Sequence, residues 1–300
     1  MDKKLFIFIP FALWLIYVIF LSAFYPEVRW DWEKEEAKPM SFPDGFVWGV
    51  ATAAHQVEGG CTNNWSAWEN STDENNSPRI HNDEKSGIAC DHWNRYQDDI
   101  QLIKDLGVTS YRFSIEWSKV EPEEGQFDST ALEHYKDVCI ALKESGITPV
   151  VTLHHFTHPI WFEEKGAFEN KENLSYFVRY SERVFDTLKD YVGLWCTINE
   201  PAVYTYQGYF NGVWPPGKID PQLAGKVLKN LLEGHVRIYK ALKSRKGGAG
   251  AQIGIVKNIF PFDPYNRWNP MDWMVTRILD NVFNNVALEF LISGTYNYSM

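Results

Sequence analysis

From Phe46 onward, five short apolar runs alternate with longer amphipathic stretches. No other feature restricts the fold as much, because strand–helix repeats of this kind build a parallel sheet with helices packed on it. The runs span residues 46–54, 108–117, 148–155, 194–199 and 252–259. Between them, Trp93, Tyr96, Ile100, Ile103 and Leu106 keep helical spacing and Gly107 supplies a stop. Asp128 is placed to cap a helix whose buried face is Leu132, Tyr135, Val138 and Leu142, ended by Gly146. Leu174, Phe177, Val184, Phe185, Leu188 and Tyr191 mark another, and Val227, Leu231, Ile238 and Leu242 a fourth. These stripes read as core. Strand starts fall about fifty residues apart, so an eight-stranded barrel at this spacing needs well over four hundred residues. The expectation is an α/β fold comprising the first five βα units of a (β/α)8 (TIM) barrel, with two open sheet edges.

Ahead of this region, Lys3 and Lys4 precede an uncharged run over residues 5–24 that is about as long as a bilayer-spanning helix. The sequence therefore predicts an N-terminal transmembrane helix. Residues 1–25 read as a membrane anchor or uncleaved signal, 26–41 as a charged juxtamembrane linker, and 42–300 as the partial barrel. The two lysines place the globular part on the non-cytoplasmic side; secretion after signal cleavage is the alternative.

The 45% hydrophobic and 23% charged content suits a chain with a sizeable core, and the net charge of −10 argues against a nucleic-acid partner. Abundant Trp, Tyr and Phe suit stacking on sugar rings, or equally a large aromatic core. Cys61, Cys90, Cys139 and Cys196 show no metal or redox spacing, and no metal or organic cofactor is expected. Cys139 and Cys196 read as buried thiols, while Cys61 and Cys90 bracket a polar loop and are either free or paired outside the cytosol. That loop, 62–89, reads as a solvated excursion with glycosylation sequons at Asn64, Asn70 and Asn75.

In a parallel barrel, polar residues at the C-terminal strand ends face the active-site mouth. Here those ends carry Gln56, Arg112, His155, and Asn199 with Glu200. Singly each has an ordinary reading: a loop amide, a structural counter-ion, a satisfied core imidazole, a surface acid. Together, an amide, a cation, an imidazole and a carboxyl on one rim suit a polyhydroxylated ligand. A carboxyl held where an apolar strand meets a loop is suited to general-acid work.

The segments Gly45-Phe46-Val47-Trp48-Gly49-Val50-Ala51-Thr52-Ala53-Ala54-His55-Gln56-Val57-Glu58-Gly59, Tyr111-Arg112-Phe113-Ser114-Ile115-Glu116-Trp117-Ser118, Val151-Thr152-Leu153-His154-His155-Phe156 and Thr197-Ile198-Asn199-Glu200-Pro201 closely resemble glycoside hydrolase family 1, the β-glucosidase family, in order and spacing. The resemblance implies that Gln56 and His155 bind sugar hydroxyls, that Asn199 holds the 2-hydroxyl, and that Glu200 is the general acid/base of a retaining mechanism. Arg112 matches the arginine that keeps the nucleophile ionised. The segment Trp214-Pro215-Pro216-Gly217 resembles an aglycone-side wall. Where the family shows His-Trp-Asp-Leu-Pro, this chain has His155-Phe156-Thr157-His158-Pro159, so Phe156 stacks without an indole donor. The nucleophile motif Thr-Glu-Asn-Gly does not follow Pro201; Glu58 and Glu116 lie in other motifs, and Glu116 is expected in a salt bridge. The leading expectation is a truncated, membrane-anchored β-glycosidase acting on a small saccharide or glycoside. The alternatives are a catalytically silent carbohydrate- or partner-binding fragment, or a transglycosidase acting on a lipid-linked sugar.

Overall fold

The computed structural model describes residues 3–27 and 41–299, which form two compact units. In chain order the principal elements are α1 (Lys3–Phe24), β1 (Gly49–Ala51), α2 (Ala54–Val57), α3 (Asn64–Glu69), α4 (His92–Asp105), β2 (Ser110–Ser114), α5 (Trp117–Val120), α6 (Ser129–Glu144), β3 (Thr148–His154), α7 (Ile160–Glu164) and α8 (Leu174–Leu188). They continue with β4 (Leu194–Asn199), α9 (Pro201–Thr205), α10 (Pro221–Ser244), β5 (Gln252–Val256), α11 (Pro270–Asp280) and α12 (Val286–Ser293).

The larger unit, Val47–Asn258, contains one all-parallel sheet in the order β1-β2-β3-β4-β5. Sequential neighbours in a parallel sheet are what successive βα units generate, and this arrangement fits a partial barrel. The helix stripes form the core. Leu132, Tyr135, Val138 and Leu142 of α6, Phe177, Val184, Phe185 and Leu188 of α8, and Val227, Leu231, Ile238 and Leu242 of α10 are buried in one cluster with Tyr111, Phe113, Val151, Leu153 and Trp195 of the sheet. Asp128 caps α6 by accepting from Thr130 N at 2.7 Å and Ala131 N at 3.2 Å. Leu106 departs from its stripe; it is 65% exposed, one residue beyond α4, where Gly107 has turned the chain away.

Register sets the strand ends in line. Ala51 pairs with Arg112, Ser114 with Thr152, His154 with Ile198, and Asn199 with Val256. The residues that follow each pair therefore emerge along one edge of the sheet.

The N-terminal expectation is corrected. Lys3–Phe24 is helical, but among the described residues no helix is long and apolar enough to cross a membrane. Pro10 lies inside α1, Val18 and Leu21 are buried within the smaller unit, and Trp14 Nε1 donates to Trp268 O at 2.9 Å. The anchoring and placement drawn from a spanning helix fall with it. Residues 28–40 of the expected linker lie outside the described residues.

Of the two alternatives left open for Cys61 and Cys90, the free one holds: both are free thiols. One further expectation changes. The 62–89 segment is not wholly a solvated excursion, because α3 opens it with Asn63, Asn64, Trp68 and Glu69 buried. Asn63 nucleates that helix through a capping box with Ser66.

Candidate active site

Arg112 extends from β2 across the sheet to its neighbours, donating from Nε to Thr152 Oγ1 at 2.9 Å and from Nη2 to Asn199 Oδ1 at 2.5 Å. With its carbonyl so engaged, the Asn199 amide presents Nδ2 to Glu200 Oε2 at 3.5 Å. These bonds fix which way the amide points. Asn199 is buried and ends β4; Glu200 begins the turn into α9.

Glu200 sits at φ 45°, a left-handed conformation that costs a non-glycine residue about 1–2 kcal/mol. Its amide donates to Val256 O at 2.8 Å, and its carbonyl accepts from Val203 N and Tyr204 N, so both sides of the turn are pinned. Pro201 follows as the first helical residue, its fixed φ suited to that position. Lys257, next after Val256, is half-buried; burial pushes its ammonium down to about 8, partly offset by the Glu200 charge.

Gln56, His155 and Phe156 line a cleft of about 400 Å³. Its aromatic side is a continuous run in which Phe156 lies 5.2 Å from Trp214 and Trp214 meets Trp65 edge-on at 5.3 Å. Its polar side includes His55 and Glu69, joined at 2.8 Å between Nε2 and Oε1. Burial would raise the Glu69 carboxyl, yet hydrogen bonds from His55 and Ser86 hold it below the usual carboxylate range. His155 is pushed down to about 4 by burial and then by the Arg112 charge, so its imidazole is neutral at physiological pH.

The expected site residues thus fall into two groups. Arg112, Asn199 and Glu200 are hydrogen-bonded to one another; Gln56, His155 and Phe156 line the cleft, which the first group does not. His155 links them electrostatically through Arg112. Among the described residues Glu116 makes no salt bridge: it accepts from Ser118 N and Oγ and from Thr157 Oγ1. Sequence reasoning missed Lys257, signalled only by a cation inside the fifth apolar run and just past the observed end of β5, and the His55–Glu69 pair, hidden because Glu69 falls in a polar stretch. Among the described residues no group of three or more His, Cys, Asp or Glu side chains is arranged to hold a metal ion.

The family model for glycosyl hydrolase family 1 matches residues 38–300. Beta-glucosidase A of Thermotoga maritima is 38% identical over 251 residues, covering 82% of this chain and 55% of that protein. Beta-glucosidase A of Acetivibrio thermocellus is 38% identical over 224 residues, covering 73% and 49%. The solved beta-glycosidase from Pyrococcus horikoshii superposes with a TM-score of 0.78 at 41% identity, over 87% of this chain and 58% of that one. The chain spans about half the length of the curated relatives it matches. On the extent of the family match and the identity of these relatives, the chain belongs to glycosyl hydrolase family 1.

Proposed function

We propose that this chain carries the proton-donating part of a retaining β-glycosidase site for a β-linked glucoside or galactoside. The observation that carries this reading is the Arg112–Asn199–Glu200 chain at the end of β4, one strand over from the His155 of the cleft. Glu200 gives its proton to the departing oxygen as the glycosidic bond breaks, while a carboxylate attacks the anomeric carbon. Glu200 then takes a proton from the water that hydrolyses the glycosyl ester. Asn199 holds the 2-hydroxyl, Gln56 and His155 bind other hydroxyls, Phe156 stacks on the ring, and the Arg112 charge keeps the attacking carboxylate ionised. The substrate class is supported by relatives named as β-glucosidases.

A second reading, sugar binding without turnover, is favoured by one feature: the Thr-Glu-Asn-Gly segment that supplies the family's nucleophile does not occur in the 300 residues. The lipid-linked transglycosidase alternative rested on the membrane helix and is not carried forward. The test is hydrolysis of nitrophenyl β-glucoside with the product anomer followed by NMR. Initial release of the β-sugar is expected, and initial release of the α-sugar contradicts retention. The Thermotoga maritima β-glucosidase has been solved with deoxynojirimycin, and saturable binding of that compound without turnover supports the second reading.

A further inference from the structure

α1 has two opposite faces. At about 3.6 residues per turn, Trp14, Val18, Leu21 and, one residue past the helix, Tyr25 share one side. That side is covered within the smaller unit. Val18 and Leu21 are buried, Trp14 Nε1 donates to Trp268 O, and the Tyr25 ring lies 6.0 Å from Trp273 and 5.5 Å from the Arg277 guanidinium, both on α11. The other side is bare. Ile9, Leu13, Ile16 and Phe20 follow one another at intervals of four, three and four residues and are 49–64% exposed, with Ile19 at 56% and Phe24 at 66% on their flanks. No charged residue occurs between Lys4 and Glu27.

A contiguous apolar strip of this kind, left outside a helix that packs on protein through its other face, marks a docking surface. Its spacing says what fits. Alternation of four and three residues is the repeat of a coiled-coil seam, whose side chains enter the holes between those of a like helix. The six half-exposed side chains offer roughly 700 Å² per copy, within the about 600–1,000 Å² a side that a specific interface buries. Charge points the same way. The strip carries none, so two copies meet there without like-charge repulsion although each chain has a net charge of −10, whereas a partner of opposite charge finds nothing on it to pair with. A two-fold axis needs one self-complementary patch and closes after two copies.

We propose that α1 is a dimerisation helix: the seam of Ile9, Leu13, Ile16 and Phe20 docks on the same seam of a second copy of this chain. None of these residues belongs to the Glu200 group or lines the cleft, and the test uses no turnover, so the dimer fails or holds separately from the glycosidase reading.

Sedimentation velocity of the 300-residue chain at micromolar concentration should show a species of twice the chain's mass that dissociates reversibly on dilution. Ile16 is the position to change. It stands mid-seam and meets the partner's mid-seam whether the helices run parallel or antiparallel, and its exposure in the single chain means that a substitution there spares the fold, which circular dichroism checks. Ile16→Glu and Ile16→Lys should each raise the dissociation constant at least about 100-fold, because each places two like charges in an apolar seam. An equimolar mixture of the two variants should recover a dimer tighter than either forms alone, which misfolded chains do not do. A wild-type chain that stays monomeric overturns the proposal, and flotation of that monomer with phosphatidylcholine vesicles would assign the seam to lipid instead. Growth beyond two copies, variants that dimerise like the wild type, or no recovery on mixing overturns it equally.

Discussion

Phe156 at φ 71° and Glu200 at φ 45° hold a backbone conformation that side-chain-bearing residues rarely adopt. Strain of this kind persists only where surroundings over-determine it, and both residues stand just past a strand. Asn64 holds the Phe156 segment, donating to Phe156 O at 3.2 Å and accepting from His158 N at 3.0 Å. Asn64→Ala should cost about 2–3 kcal/mol, measured by urea unfolding, since it leaves buried backbone groups unpaired. Asn64 read as a glycosylation sequon by pattern alone, but its burial keeps it from a glycan in the folded chain, whereas Asn75 is exposed. Arg112 sets a second residue-scale expectation. In Arg112→Met the His155 imidazole loses the nearby positive charge and should titrate above its present value of about 4, read by imidazole NMR; an unchanged titration would show that burial alone sets it.

All five strands and the four helix stripes were legible as elements, because hydrophobic periodicity reports burial directly. Their ends were less so. The first strand was expected over 46–54, yet only Gly49–Ala51 pair, because Ala54 N turns to Ser114 Oγ at 2.8 Å and starts α2. The second was expected to reach Trp117, but Glu116 caps α5 there. The second end is set locally, by Glu116 accepting from Ser118 N, but the first is decided by a partner 60 residues away, which local pattern does not contain. The same holds for α3, whose burial depends on Phe156 and His158. The candidate site residues were nominated through family motifs, whereas Lys257 and the His55–Glu69 pair depend on strand register and helix packing. Gly59 shows how tightly the link after β1 is made: it sits at φ 78°, and a Cβ there would lie 2.3 Å from Ile88 O. Gly59→Ala should therefore lose at least about 2 kcal/mol of stability, while Asp128→Ala, which removes only the α6 cap, should lose about 1 kcal/mol. Calorimetry of the two variants side by side checks the order.

At the scale of the whole molecule, β1 and β5 end the sheet without further partners among the described residues, and the chain spans about half the length of its relatives. Acid sensitivity is a collective property. His134, His155 and His235 are each pushed down to about 4 by burial, so the stability from keeping them neutral is present above about 6.5 and lost as pH falls through about 4. A pH series of thermal midpoints should show that loss. The central claim is that Glu200 donates the proton, and the most direct measurement compares kcat/KM on an alkyl and an activated aryl β-glucoside, in whichever length of this chain turns over the aryl substrate. Glu200→Gln should depress the alkyl reaction about 10²–10⁴-fold more than the aryl one, because only the poor leaving group needs the proton. Equal depression of both would contradict it.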